Sequence, residues 1–161
     1  MQVDLETELC PVTSLNFLKL CKTYAYNFCS FHNVIKDFIA QSGDPTDTGA
    51  GGASIFSQLP LSSPAFSAAK YFAPEVSQKL KHAATGTLSM AIAGDGDRRG
   101  CGSQFFFTLA DDVEYLDGKH APFGRVIEGL DTLARINEAF TDGEGKPLRD
   151  IRIRHVIVLG A

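Results

Sequence analysis

Few side chains in this sequence are spaced for chemistry, and most are scattered. Cys10, Cys21, Cys29 and Cys101 form no Cys-x-x-Cys pair, so neither a redox dithiol nor a two-pair zinc site is spelled out. His32 stands three residues after Cys29, but no second local pair completes a tetrahedral set, and no metal is expected. The thiols read as small buried hydrophobes in a reducing compartment. Gly49-Ala50-Gly51-Gly52 invites a phosphate-cradling reading, yet no Gly-Lys-Ser/Thr follows it, and no clear strand–loop–helix setting surrounds it. A backbone that needs positive φ is the simpler account. His155 falls on the apolar side of an alternating run, where a core or rim histidine is favoured over a functional one.

The elements that position such residues follow from composition and pattern. The chain has 161 residues, 15 basic against 19 acidic, a net charge of −4, 44% apolar and 21% charged residues. That is ordinary globular composition and enough chain for one domain, taken as 1–161. A pI near 5.5 argues against holding nucleic acid through bulk charge. No apolar run approaches the ~20 residues that cross a bilayer, and no basic-then-apolar leader follows Met1. No membrane partner is expected.

One helix is predicted after Pro11, with Thr13 or Ser14 as N-cap and Leu15, Phe17, Leu18, Leu20 and Cys21 on its buried face. A second begins near Leu130, carrying Leu133, Ala134, Ile136 and Phe140, and ends in the Gly-rich stretch Asp142–Gly145. Strands are predicted at Gln2–Leu5, Phe31–Ile35, Phe38–Gln41, Thr87–Ala91, Gln104–Thr108, Pro122–Ile127 and Asp150–Leu159. In the last, Ile151, Ile153, Ile157 and Leu159 share one side and Arg152 and Arg154 the other. Many short strands with two helices suggest a barrel or sandwich covered at its ends. Two long irregular stretches, roughly Gly43–Ser67 and Ala93–Gly102, are the natural seat of function.

Three blocks go further than pattern: Phe31–Asp44 (FHNVIKDFIAQSGD), Gly49–Ile55 (GAGGASI) and Gly102–Phe106 (GSQFF). With Leu116-Asp117-Gly118-Lys119-His120 and Phe123-Gly124 behind them, the chain resembles the cyclophilins, peptidyl-prolyl cis-trans isomerases, from about Val3 to Leu159. The resemblance implies a mainly β, closed eight-stranded antiparallel barrel capped by two helices, here expected to lack the family's first strand. It also implies no cofactor. Leu15–Lys22, Asp44-Pro45-Thr46 and Asp150–His155 are similar to the nuclear branch that carries an RNA-recognition motif beyond the isomerase domain, which implies nuclear residence. A monomer is expected, with no direct nucleic-acid contact through this domain.

Turning an Xaa–Pro bond means crossing a torsional barrier of roughly 18–20 kcal/mol. The prolyl nitrogen gains lone-pair character as the amide twists, so a donor aimed at it stabilises only the transition state. By resemblance, Phe38, Ile39, Phe106, Leu116 and His120 enclose the proline ring, with Ile39 where a Met is usual. Gln41 and Gln104 match the amides that hold substrate and order their neighbours. Ala91 and Ile92 match the edge that binds peptide backbone, with Ile92 replacing a frequent Asn. Tyr115 stands where many members have Trp, which implies weakened binding of cyclosporin. Asn33, Phe38, Gln41 and His120 are the expected catalytic set.

Asn33 is the consequential departure. Strongly active cyclophilins carry there an arginine that supplies the donor to the prolyl nitrogen, and Asn cannot reproduce its charged fork. The expectation is a slowed isomerase acting on proline-containing proteins. The alternative is a proline-peptide binding module in nuclear RNA-processing complexes. The loop Asp95–Cys101 is a second departure, about three residues longer than the resemblance implies. Arg98 or Arg99 would there add acceptor contacts or select acidic or phosphorylated residues, although a solvated charged loop is the favoured reading.

Overall fold

The computed structural model describes residues 1–58 and 69–160, so the end of the Gly43–Ser67 stretch lies outside the described residues. Among these, six strands form one antiparallel sheet: β1 (Gln2–Leu5), β2 (Asn33–Ile35), β3 (Ile39–Ser42), β4 (Thr87–Ala93), β5 (Gly100–Thr108) and β6 (Pro122–Glu128). Their spatial order is β1-β6-β4-β5-β3-β2. Helix α1 (Pro11–Lys22) packs on β5, and α2 (Leu130–Asn137) on β2. One face of the sheet, carrying Val34, Ala40, Leu88, Met90, Phe105, Phe107 and Phe123, closes on Leu20 and Cys21 of α1 and Leu133 and Ile136 of α2. Phe105 sits at the centre, edge-on to Phe17, Tyr26 and Phe107 with ring centroids 5.1–5.7 Å apart. Each such pair adds about 0.5–1.5 kcal/mol beyond area burial. All four cysteines are buried and unpaired, and burial pushes the Cys21 and Cys101 thiols up to about 12.

Helix α1 begins earlier than its residues suggest. Pro11 takes the first turn, where its missing N–H costs nothing, and Cys10 occupies the cap position without a side-chain cap. The open N–H groups are met from far along the chain. The Glu75 carboxylate accepts from Val12 N (3.2 Å), Thr13 N (2.7 Å) and the Thr13 hydroxyl (2.8 Å). Leu15 is 42% exposed while Asn16 is fully buried. The Asn16 amide donates to the Gly102 carbonyl (2.9 Å) and accepts from Ile55 N (2.8 Å), so a polar strut occupies the face expected to be apolar. In α2 only Leu133 and Ile136 are buried. Phe140 lies beyond the helix end and is 83% exposed.

The closed eight-stranded barrel does not form among the described residues. Gln2–Leu5 forms the strand predicted for it, β1, paired with β6 through Val3↔Val126 and Leu5↔Gly124. Glu6–Cys10 then turns at once into α1, with Cys10 N bonded to Glu6 O at 3.0 Å. The run Asp150–Leu159 forms a single bridge, Ser30↔Arg152, rather than a full strand. It is held along 28–31 by Phe31 N to Ile151 O (2.8 Å), Ile153 N to Cys29 O (3.0 Å) and Phe28 N to Ile153 O (2.7 Å). Past Ile153 the alternation slips. Val156 and Val158 join Ile151 and Ile153 against the core, while Ile157 and Leu159 are 72% and 68% exposed. Two successive exposed residues, Arg154 and His155, make that change of face. His155 is a rim residue stacked on Tyr24 at 6.1 Å.

Candidate active site

Directly opposed residues of antiparallel strands point to the same side of a sheet. Asn33 lies opposite Gln41, Gln41 opposite Phe106, and Phe106 opposite Ser89. These four side chains therefore form one transverse row across β2, β3, β5 and β4, on the face away from the main core. Phe106 is buried with Ile39, Ala91, Val113 and Leu116 in a second, smaller apolar cluster, and Phe38 packs against it. Three of the predicted ring-enclosing residues thus belong to one cluster, with Phe38 against its edge. Leu116 arrives on the short 3₁₀ turn Glu114–Leu116. Tyr115, on the same turn, is 59% exposed and stands 5.3 Å from Phe38, ring to ring.

His120 completes this wall, edge-on to Phe106 at 5.2 Å. Its Nδ1 lies 3.0 Å from the Met90 carbonyl, an acceptor, so Nδ1 carries the proton and donates. That carbonyl adjoins an irregularity. Met90 pairs with Phe105 and Ile92 with Cys101, leaving Ala91 opposite Gly102–Gln104. The β4–β5 ladder is thus irregular beside the apolar cluster. Ile92 packs towards the main core instead of this cluster.

An amide relay fixes the polar side of the row. The Gln104 amide nitrogen donates to the Gly49 and Gly51 carbonyls (3.0 and 2.9 Å). Carbonyls only accept, so this sets the orientation of the Gln104 amide. Its oxygen must then receive the Gln41 amide nitrogen, at 2.8 Å. Gln41 is left with its oxygen and one N–H for a guest. The glycine loop is itself built on the buried Asp44. That carboxylate accepts from Thr46 N (2.8 Å), Thr46 Oγ1 (2.7 Å), Gly49 N (2.7 Å) and Gly51 N (3.0 Å). Burial works to raise its pKa, but these bonds outweigh burial and hold the carboxyl below its ordinary value. Gly49 and Gly52 have φ of +82° and +89°, and a side chain on Gly52 would collide with the Ser103 hydroxyl.

The remaining predicted residue, Asn33, stands on the edge strand, its amide oxygen beside Gly145. Arg98 and Arg99 lie outside this constellation in an exposed turn, the 3₁₀ segment Gly96–Arg98 and its end.

Residue-type arguments did not reach His82, which is fully buried behind Phe106, with rings stacked at 6.0 Å. Nδ1 is 2.7 Å from the Asp117 carboxylate and Nε2 2.9 Å from the Ser89 hydroxyl. Asp117 can only accept while ionised, so Nδ1 bears the proton and Ser89 donates to Nε2. Desolvation lowers the His82 pKa against the opposing pull of Asp117, which keeps the imidazole neutral. The only sequence signal was its position, seven residues before Ser89 in a predicted strand.

The result is an apolar cluster with ordered amides on one side and an irregular strand pair on the other. Residues 1–158 match the family described as cyclophilin type peptidyl-prolyl cis-trans isomerase/CLD, and the chain belongs to that family. Among curated proteins it is 59% identical over 158 residues to peptidyl-prolyl cis-trans isomerase-like 4 of Cryptococcus neoformans, covering 98% of this chain and 31% of that protein. It is 47% identical over 157 residues to the Homo sapiens protein of the same name, covering 98% and 30%. The chain therefore spans about a third of the length of these relatives. Among solved structures, a cyclophilin type peptidyl-prolyl cis-trans isomerase of Cryptosporidium parvum superposes with TM-score 0.82 at 36% identity, covering 95% of this chain and 86% of that one. A further structure of that protein was obtained in the presence of the dipeptide Ala-Pro.

Proposed function

We propose that this chain binds Xaa-Pro segments of proteins on the Phe106 cluster and isomerises them slowly, without a cofactor. The observation that carries the reading is the relay from the glycine loop through Gln104 to Gln41, beside an apolar cluster around Phe106. Phe38, Ile39, Phe106, Leu116 and His120 hold the ring, and the backbone at Ala91, where the β4–β5 register is irregular, takes the residues before it. Gln41 offers its oxygen to the peptide and its remaining N–H to the twisting amide. The Ala-Pro dipeptide used with the Cryptosporidium relative fits this substrate class.

Asn33 sets the rate. It stands in the row next to Gln41, but its amide is short and uncharged. A charge-assisted bond lost from a shielded site is worth about 1.5–3 kcal/mol, or one to two orders of magnitude in rate. Asn33→Arg is therefore expected to raise kcat/KM for an Xaa-Pro peptide about 10- to 100-fold, with little change in peptide affinity. Equal activity of the two proteins in a peptide isomerisation assay would refute the argument.

Asn33 also favours the second reading, a binding module whose catalytic donor is gone, acting in nuclear RNA-processing complexes as its branch resemblance suggests. A wild type with no measurable turnover that still binds proline peptides would select it. In either reading cyclosporin is a weak ligand, because Tyr115 offers less ring surface than the usual Trp. The domain acts as a monomer without touching nucleic acid.

A further inference from the structure

The turn after α1 holds two aromatic residues in a backbone conformation that bulky side chains rarely adopt. Tyr24 and Phe28 have φ of +60° and +66°, the left-handed region where glycine or asparagine sits with less strain. Hydrogen bonds on the main chain enforce it. Tyr24 N donates to Cys21 O (3.1 Å), Asn27 N to Tyr24 O (3.1 Å) and Phe28 N to Ile153 O (2.7 Å). The Arg152 guanidinium donates to Phe28 O at 2.6 Å. Tyr26, between the two, is buried with its hydroxyl on the Ser103 carbonyl. Tyr24 and Phe28 are instead 63% and 65% exposed, and neither belongs to an apolar cluster of the fold. Backbone strain kept for rings that the fold does not bury points to a use outside the fold.

His155 adds a third ring, stacked on Tyr24. The Asn27 oxygen accepts from Val156 N, so its amide nitrogen faces His155 Nδ1, which must accept. In the neutral ring the proton is left on Nε2, which has no hydrogen-bond partner among the described residues. The charge around these rings is one-sided. No Asp or Glu occurs between Leu9 and Lys36, whereas Lys19, Lys22 and Lys36 do. Lys19 and Lys22, on the last turn of α1, are exposed and without an ion-pair partner among the described residues. The carboxylates of Asp47 and Asp150 are both engaged by Arg152.

We propose that Lys22, Tyr24, Phe28 and His155 form a docking surface for a short acidic segment of a partner protein, with apolar side chains between its Glu or Asp residues. The rings take the apolar side chains at low entropic cost. Lys19, Lys22 and His155 Nε2 meet the carboxylates. The net charge of −4 disfavours a nucleic-acid strand, which brings a charge with every nucleotide to a small cationic area. A segment with a few carboxylates is matched to it.

The test uses the 161-residue chain and a fluorescein-labelled peptide with Glu and Asp on either side of a Leu-Leu pair and no proline. Fluorescence anisotropy should show saturable binding, lost when Lys replaces the acidic residues. The double variant Tyr24→Asn, Phe28→Asn accepts the left-handed backbone, so it should melt no lower than the wild type. It should bind the peptide at least about tenfold more weakly, the loss of an aromatic anchor. Lys22→Glu should weaken binding severalfold. Isomerisation of an Xaa-Pro peptide should be unchanged in both variants, because none of these residues belongs to the Gln41–Phe106 row. Absence of saturable binding, equal binding of the Lys peptide, or a double variant that melts lower and binds as before would overturn the proposal. So would tighter binding of single-stranded oligouridylate than of the peptide, or a dimer that the double variant abolishes, which would make nucleic acid or a second copy the occupant.

Discussion

At the scale of single residues, the site depends on atoms with no freedom to choose another partner. Gln104 is nearly buried, with 2% of its surface exposed, and both of its amide hydrogens go to glycine carbonyls. Gln104→Glu replaces those donors with acceptors facing acceptors. A buried side chain that loses its hydrogen-bond partners costs about 1–3 kcal/mol, so urea denaturation should register a loss of that size. Proline-peptide affinity should fall with it, because Gln41 loses its anchored neighbour. Unchanged affinity in a destabilised variant would separate the relay from the site. Asn33 is the opposite case, a half-buried edge-strand residue whose substitution should alter rate more than stability. Gln41, Gln104, Phe106 and His120 were legible from sequence because their motifs are contiguous blocks. His82 and Glu75 were not, because their partners lie 7 to 63 residues away and nothing local marks either one.

At the scale of elements, remote side chains complete what local sequence leaves open. The first turn of α1 has no cap of its own, and Glu75 supplies it. Glu75→Gln keeps an acceptor but removes the charge that favours a helix N-terminus. Loss of the cap and of that charge together is worth about 1 kcal/mol, so Glu75→Ala should cost that much in denaturant unfolding and Glu75→Gln less. The turn carrying Arg98 and Arg99 is exposed and stands apart from the Phe106 cluster. Peptide arrays on an Arg98→Ala, Arg99→Ala variant should show the wild-type preference, and a lost preference for acidic or phosphorylated residues before proline would assign the turn a selective role. Strand positions were legible from alternation to within a few residues. The last run was not, because its register slips at Arg154 and His155, and alternation cannot report a slip that leaves apolar residues on both sides.

At the scale of the whole molecule, buried titratable groups tie stability to pH. Desolvation lowers the pKa of His82 and of His32, so near pH 6.5, the ordinary value, the unfolded chain takes protons that the fold refuses. Stability from these groups is present at neutral pH and is lost as pH falls below about 6.5. Asp44 and Asp117 add a second loss at lower pH. Burial works to raise both carboxyls, but hydrogen bonds from Thr46 and from His82 outweigh it and hold them below the ordinary value near 3.9. Thermal melting should therefore fall from pH 7 to pH 5, and His82→Gln should flatten that slope while lowering stability at pH 7. A slope unchanged in the variant would remove His82 from the account. The sequence by itself determined the β-rich class and the family, because each is written in composition or in contiguous motifs. Only the tertiary structure decided that the last run changes face after Ile153, and that His82 and Glu75 brace the candidate site and α1. Register and bracing depend on which chain segments meet across the core, and that is a property of strand order, not of any one stretch of residues.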